Sequence, residues 1–161
     1  MIILQPNEYH NFFEDIKTRG KVIAASGYFD PPTPTHLKYF RAAKGLGTIL
    51  IVMLNTDKQL LLKRKGTDLE SKIRYPFMDR IYIINEFRTV DVVVMSIDED
   101  RGIYKTIRAI KPHIFAKGGD KDLTNIPQEE IDMCREIGCK IVTGVGGDII
   151  DKTHSSSWYD W

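Results

Sequence analysis

Cysteine is almost absent: Cys134 and Cys139, five apart beside a glycine, are the only two in 161 residues. A disulfide scaffold is excluded and no second pair stands at zinc spacing, so both are expected as reduced, packed thiols. No apolar run approaches the roughly 20 residues that span a bilayer, which argues against membrane insertion. Residues 1–7 also lack the basic and long apolar regions of a signal peptide, so a cytoplasmic location is expected. Excess charge of one sign is missing too, with Lys+Arg 23 against Asp+Glu 22. That balance argues against the counterion-release binding of a nucleic-acid module and leaves small charged ligands as the expected partners. No Gly/Ser/Pro-rich linker, repeat or low-complexity tract interrupts the chain. One domain over 1–161 is expected, with residues 1–20 as a helical extension that holds an amphipathic helix at 6–17.

What is present is an alternation. Short apolar runs at 22–25, 48–54, 90–95, 113–116 and 140–143 read as buried strands. Helical patterns lie between them at 36–44, 76–87, 100–110 and 127–137. Pro127 suits a first helical turn and Gly138 a left-handed stop. Strands with near-continuous Val, Ile and Leu belong to parallel sheets covered on both faces. The fold class expected is α/β, a Rossmann-like, doubly wound, five-stranded parallel sheet. In such sheets ligands bind beyond the carboxyl ends of the strands.

The segment Ser26-Gly27-Tyr28-Phe29-Asp30-Pro31-Pro32-Thr33-Pro34-Thr35-His36 would lie at such an end. A strand that stops at glycine and brings a histidine to a helix start forms an anion site, because the first-turn N–H groups are unpaired and partly positive. Asp30, before a proline, fits a turn role as well as a catalytic one. Thr35 reads as the N-cap of the following helix. Farther on, Lys63, Arg64 and Lys65 precede Gly66 and suggest a mobile basic loop. Arg80 and Arg88 stand two helical turns apart and could face one site. The glycines of Lys117-Gly118-Gly119-Asp120 would permit close backbone approach, and Asp120 could accept ribose hydroxyls. Gly144-Val145-Gly146-Gly147 lacks the lysine of a phosphate loop and reads as a turn.

Gly27 to His36 resembles the G-x-F-D-P-x-[TH]-x-G-H signature of the cytidylyltransferase-like, HIGH-motif nucleotidyltransferases. The resemblance continues through Asn55-Thr56-Asp57, Lys63-Arg64-Lys65, Asp79-Arg80, Arg88-Thr89-Val90-Asp91, Lys117-Gly118-Gly119-Asp120 and Ser155-Ser156-Ser157. The heptose-1-phosphate adenylyltransferase branch is the more similar, ahead of the glycerol-3-phosphate cytidylyltransferases. The resemblance implies transfer of NMP from CTP or ATP to a phosphorylated small polyol or sugar, with release of pyrophosphate and with Mg2+ accompanying the triphosphate. No dedicated metal cage is visible, and a homodimer is implied, with 88–91 as the first place to seek its contact. By the same resemblance His36, Lys63, Lys65, Arg80 and Arg88 are the catalytic set. Gly27, Tyr28, Phe29, Asp30, Thr33, Thr35, Gly118, Asp120, Ser155 and Ser156 would bind the nucleotide. Two positions depart from the pattern: Thr35 replaces a glycine and Tyr28 a smaller residue. They motivate the alternative of a nucleotide-binding regulatory module with weakened turnover, which the retained cations argue against.

Overall fold

The strand β2 (Val22–Gly27) shows why the sheet is covered on both faces. Its residues alternate between two cores: Val22 and Ala24 join one cluster, Ile23 and Ala25 the other. The same parity runs through β3 (Ile49–Leu54), β4 (Val92–Met95) and β5 (Ile114–Gly118), where apolar residues occupy successive positions. β-Branched and aliphatic side chains on both sides of a strand leave no face for water, so each face recruits helices. The computed structural model describes residues 1–119 and 121–147.

The helices α1 (His10–Arg19), α5 (Tyr104–Ile110) and α6 (Gln128–Glu136) supply Phe13, Ile16, Ile107, Ile110 and Met133 to the first core. On the other face α2 (Pro34–Lys44) and α4 (Phe77–Asn85) contribute Phe40, Ala43, Ile81 and Ile84. The strands are all parallel and run in the order β1-β4-β3-β2-β5-β6, where β1 is Ile2–Ile3 and β6 is Lys140–Val145. The doubly wound parallel architecture is as expected, but the sheet has six strands instead of five. The extra one is β1, whose two residues pair with Val93 and Val94. Two residues are too few for any periodicity to reveal. The helix expected over 6–17 is likewise divided, into a 3-10 turn at Pro6–Glu8 and then α1.

A second difference lies after β3. Residues expected as a basic loop form the helix α3 (Asp57–Arg64), because Thr56 caps it: Gln59 N–H donates to the Thr56 hydroxyl while the Gln59 side chain accepts from the Thr56 amide. That reciprocal pair fixes the first turn. α5 starts later than the expected 100, because the buried Asp98 carboxylate accepts the amides of Lys105 and Thr106. α6 ends at a left-handed Gly138, with Cys139 N–H donating to Cys134 C=O at 2.8 Å and Gly138 N–H to Arg135 C=O at 3.2 Å. This is a Schellman stop, whose geometry brings Cys134 and Cys139 together. Both thiols are free and buried. A hydrogen bond from Cys139 lowers the Cys134 thiol, and the same contact together with burial raises that of Cys139.

The chain leaves β2 through α2 toward β3 on one side, whereas α5 carries β4 across to β5 on the other. The carboxyl ends of β2 and β5 therefore open a crevice at the switch point.

Candidate active site

The loop after β2 is shaped by one aromatic ring. Phe29 adopts a left-handed φ of 48°, and its buried ring lies so close to Gly27 that a Cβ there would stand 2.6 Å from Cζ. Glycine is thus required by packing at this point. The Phe29 ring also meets His36 and Phe40 edge-on, with centroids 4.8 and 5.0 Å apart. α2 starts at Pro34 with Thr33 as its N-cap, so Thr35 lies inside the first turn instead of capping it. The fixed φ of proline starts the helix one residue before the expected cap.

His36 occupies the third helical position, where glutamate or glutamine usually completes a capping box. The Thr33 amide donates to His36 Nδ1 at 3.0 Å, and the Thr33 hydroxyl lies 3.2 Å from the same nitrogen. Nδ1 is therefore the acceptor, and the proton of the neutral ring sits on Nε2. Burial, reinforced by the charge of Lys63, pushes the His36 pKa down to about 4. At neutral pH the ring is an uncharged N–H donor beside a helix N-terminus.

Asp30 is enclosed by protein donors. Its carboxylate is paired with Arg64 at 2.7 Å and accepts the amides of Arg74 and Tyr75. It thereby fastens the segment 64–75 to the loop after β2. Arg80 is fully buried. Its guanidinium donates to the carbonyls of Tyr75, Tyr28 and Asn55 and pairs with Asp57 at 2.6 Å. Arg80 thus braces the ends of β2 and β3 against α4. Arg88 is exposed beyond the end of α4, so the two arginines do not face one site.

A cleft of about 830 Å³ lies over the switch point. Of the residues expected as catalytic or nucleotide-binding, Gly27, Tyr28 and Lys63 wall it. Phe29, Thr33 and His36 do not line it; the Phe29 ring packs on Gly27 and against His36. Lys63 Nζ stands 4.4 Å from the centroid of the Tyr28 ring, and the Tyr28 hydroxyl donates to Arg101 C=O at 3.3 Å. Burial raises the Tyr28 phenol. Lys65, at the end of α3, lies along a different pocket with Lys58, Glu70 and Ser71. Gly118 ends β5 next to the cleft residue Lys117. Asp120, Ser155 and Ser156 lie outside the described residues.

The cleft also contains residues that sequence reasoning missed as site residues. Asn55, Arg101, Lys117, Lys121 and Glu130 all line it. Lys117 stood in plain view beside the Gly118-Gly119 pair. Glu130 was hidden because an acid in the first turn of an amphipathic helix looks like an ordinary surface residue. No group of three or more His, Cys, Asp or Glu among the described residues could hold a metal ion. Among the described residues no helix is long and apolar enough to cross a membrane.

A crevice at the switch point of a parallel sheet, with lysines along it and a histidine near Lys63 at the start of α2, is the arrangement in which α/β proteins bind anionic ligands. The sequence profile of the cytidylyltransferase-like family matches residues 24–157, and the chain belongs to that family. The chain is similar to the bifunctional protein HldE of a Nitratiruptor species, at 38% identity over 108 residues. That match covers 66% of this chain and only 22% of the relative. FAD synthase of Picrophilus torridus is 30% identical over 116 residues, which cover 72% of this chain and 76% of that protein. Among solved structures, the lipopolysaccharide core biosynthesis protein from Thermoplasma volcanium superposes with a TM-score of 0.62 at 26% identity. That superposition covers 77% of this chain and 95% of the other.

Proposed function

We propose that the chain transfers AMP from ATP to the phosphate of a phosphorylated sugar or polyol and releases pyrophosphate. The observation that carries this reading is the neutral His36 N–H donor at the start of α2, next to Lys63 at the wall of the switch-point cleft. An acceptor phosphate oxygen attacks the α-phosphorus in line; a new P–O bond forms as the bond to the β-phosphate oxygen breaks, and pyrophosphate carries away the electron pair. No protein nucleophile is needed. The protein aligns two anions and stabilises charge on the transferring group. His36 Nε2–H and the first-turn amides of α2 bind phosphate oxygens, Lys63 moves from the Tyr28 face onto the triphosphate, and Arg101 and Lys121 attract the second anion. Arg80 and Asp30 act as positioning residues that hold the loop after β2.

The relatives support adenylate and a phosphorylated polyhydroxyl acceptor. One solved neighbour is described as a lipopolysaccharide core biosynthesis protein. FAD, the product in the name of another relative, contains adenylate joined through a diphosphate to a polyol chain. Assembly as a homodimer belongs to the same proposal; exposed Met78, Tyr82 and Ile83 on α4 offer an apolar contact, and sedimentation velocity tests it. The activity test is pyrophosphate release with ATP and CTP against sugar 1-phosphates, polyol phosphates and FMN. Turnover should require both substrates, and His36→Ala should lower kcat by about 10²- to 10³-fold. Tight ATP binding in calorimetry with no pyrophosphate from any acceptor would instead assign a binding module.

A further inference from the structure

Gln59 lies in the first turn of α3, where its amide oxygen accepts the Thr56 N–H in the capping box. A cap needs only that oxygen. The side chain is nevertheless fully buried, and its Nε2 reaches out of the helix to the segment after β4. It donates there to Asp100 C=O at 2.7 Å and to Gly102 C=O at 2.9 Å. Both amide hydrogens thus go to carbonyls that flank a single residue, Arg101. The Arg101 carbonyl between them accepts from the Tyr28 hydroxyl at 3.3 Å. Three consecutive carbonyls are therefore held by side chains from two other parts of the fold.

Residues 99–103 belong to no helix or strand, so no ladder of backbone hydrogen bonds sets their course. Within the loop, Asp100 Oδ1 accepts the Gly102 amide at 2.7 Å, which tightens the turn but ties it to nothing outside. Lys58 also reaches the loop from α3, pairing with Glu99 at 3.0 Å, but both side chains are exposed and such a pair contributes little. Gln59 is the buried tie. With its own carbonyl and those of both neighbours held, Arg101 has a fixed backbone, while its exposed side chain walls the cleft and makes no ion pair among the described residues.

We propose that Gln59 is a positioning residue for the acceptor: acting through the backbone of residues 100–102, it aims Arg101 at the second anion in the cleft. This rests on the transferase reading for the identity of that anion, a sugar or polyol phosphate. The two ends of the Gln59 amide then serve different substrates. Its oxygen braces the start of α3, the helix that carries Lys63, and its nitrogen sets Arg101. A residue that only capped α3 would disturb the ATP side or folding alone.

The test compares wild type with Gln59→Met, which has no donor, and Gln59→Glu, which keeps an oxygen for the Thr56 amide but loses at least one of the two donor hydrogens. KM and kcat are measured for ATP and for the sugar or polyol phosphate that turns over, with melting temperatures recorded. The KM for the acceptor should rise about tenfold in both variants, the effect of one or two lost hydrogen bonds, while kcat and the KM for ATP change less than about twofold. In an Arg101→Ala background the same substitutions should move the acceptor KM less than about twofold, because nothing is left to aim. Thr56→Val removes the hydroxyl half of the cap and keeps the Gln59 donors; it should lower the melting temperature without moving the acceptor KM. Tyr28→Phe, which frees only the Arg101 carbonyl, should give a smaller rise confined to the acceptor, about threefold, and reads the same loop even if neither Gln59 variant folds. An acceptor KM unchanged in a folded Gln59 variant, a rise shared equally by ATP, or the same rise in the Arg101→Ala background overturns the inference. Calorimetric titration with inorganic phosphate beside a non-hydrolysable ATP analogue reads the second anion without turnover. Weaker phosphate binding in Gln59→Met with no pyrophosphate release from wild type would uphold the positioning role and refute the transferase reading; turnover with an unchanged acceptor KM does the reverse.

Discussion

Replacing Asp30 with alanine should bring the protein close to unfolding. The Asp30 and Arg64 side chains are 1% and 9% exposed and 2.7 Å apart. Removing one member of such a pair leaves a buried charge without its partner and costs about 3–5 kcal/mol. The substitution also takes the acceptor from two amides, Arg74 and Tyr75. Arg74 is buried while Tyr75 is exposed, so only the first is fully deprived, adding about 1 kcal/mol. The sum, about 4–6 kcal/mol, is comparable with the whole stability of an ordinary domain. Asp30→Asn keeps the shape and one carbonyl acceptor and should lose about 2–3 kcal/mol, the worth of a charged hydrogen bond. Urea unfolding at constant m measures each variant. The double variant Asp30→Ala/Arg64→Met removes both charges and should recover about 2 kcal/mol relative to Asp30→Ala, a coupling that independent sites would not show. If Asp30→Ala loses under about 1 kcal/mol and Arg64→Met rescues nothing, the clamp described above is not a stabilising element.

Three further outcomes follow from the same loop and cleft. Gly27→Ala puts a methyl 2.6 Å from the Phe29 ring; the displaced ring should lower stability by about 1–3 kcal/mol and weaken ATP binding, and a crystal structure would show Phe29 moved. His36, neutral above its depressed pKa of about 4, should give no inflection near pH 6.5 in kcat/KM, which reports the free enzyme. Between those two values the unfolded chain binds the extra proton, so the His36 contribution to stability is complete above pH 6.5 and lost as pH falls toward 4, as acid titration of wild type against His36→Gln should show. Lys63→Ala should raise the KM for ATP about tenfold or more, whereas Lys65→Ala, on the other pocket, should change it less than twofold; equal effects would place both in one site.

The parallel sheet was legible because long-range order leaves a local mark: Val22 to Ala25 and Ile49 to Leu54 are apolar at successive positions, as only a strand covered on both faces allows. β1 left no such mark, since its assignment depends on the partner Val93–Val94 far along the chain. α3 carries its own mark, since Thr56 and Gln59 spell a capping box three residues apart, but the basic run at its end has the composition of a solvated loop. Once that run is helical, consecutive residues diverge by about 100°, which sends Lys63 to the cleft, Arg64 to Asp30 and Lys65 elsewhere. No composition rule could tell which of three adjacent cations is the buried one. Arg80 illustrates the same limit, because an arginine that binds one nearby carbonyl and two from distant segments has the sequence signature of one that binds phosphate.

The glycine stop of α6 has a practical consequence. It stores the two cysteines of the chain in one contact, 1% and 6% exposed, so a thiol reagent finds nothing to label while that helix end is closed. Each opening releases both sulfurs together. The protein thus contains a native stopwatch: the rate of paired thiol labelling counts the openings of α6, the helix that carries Glu130, without any probe being introduced.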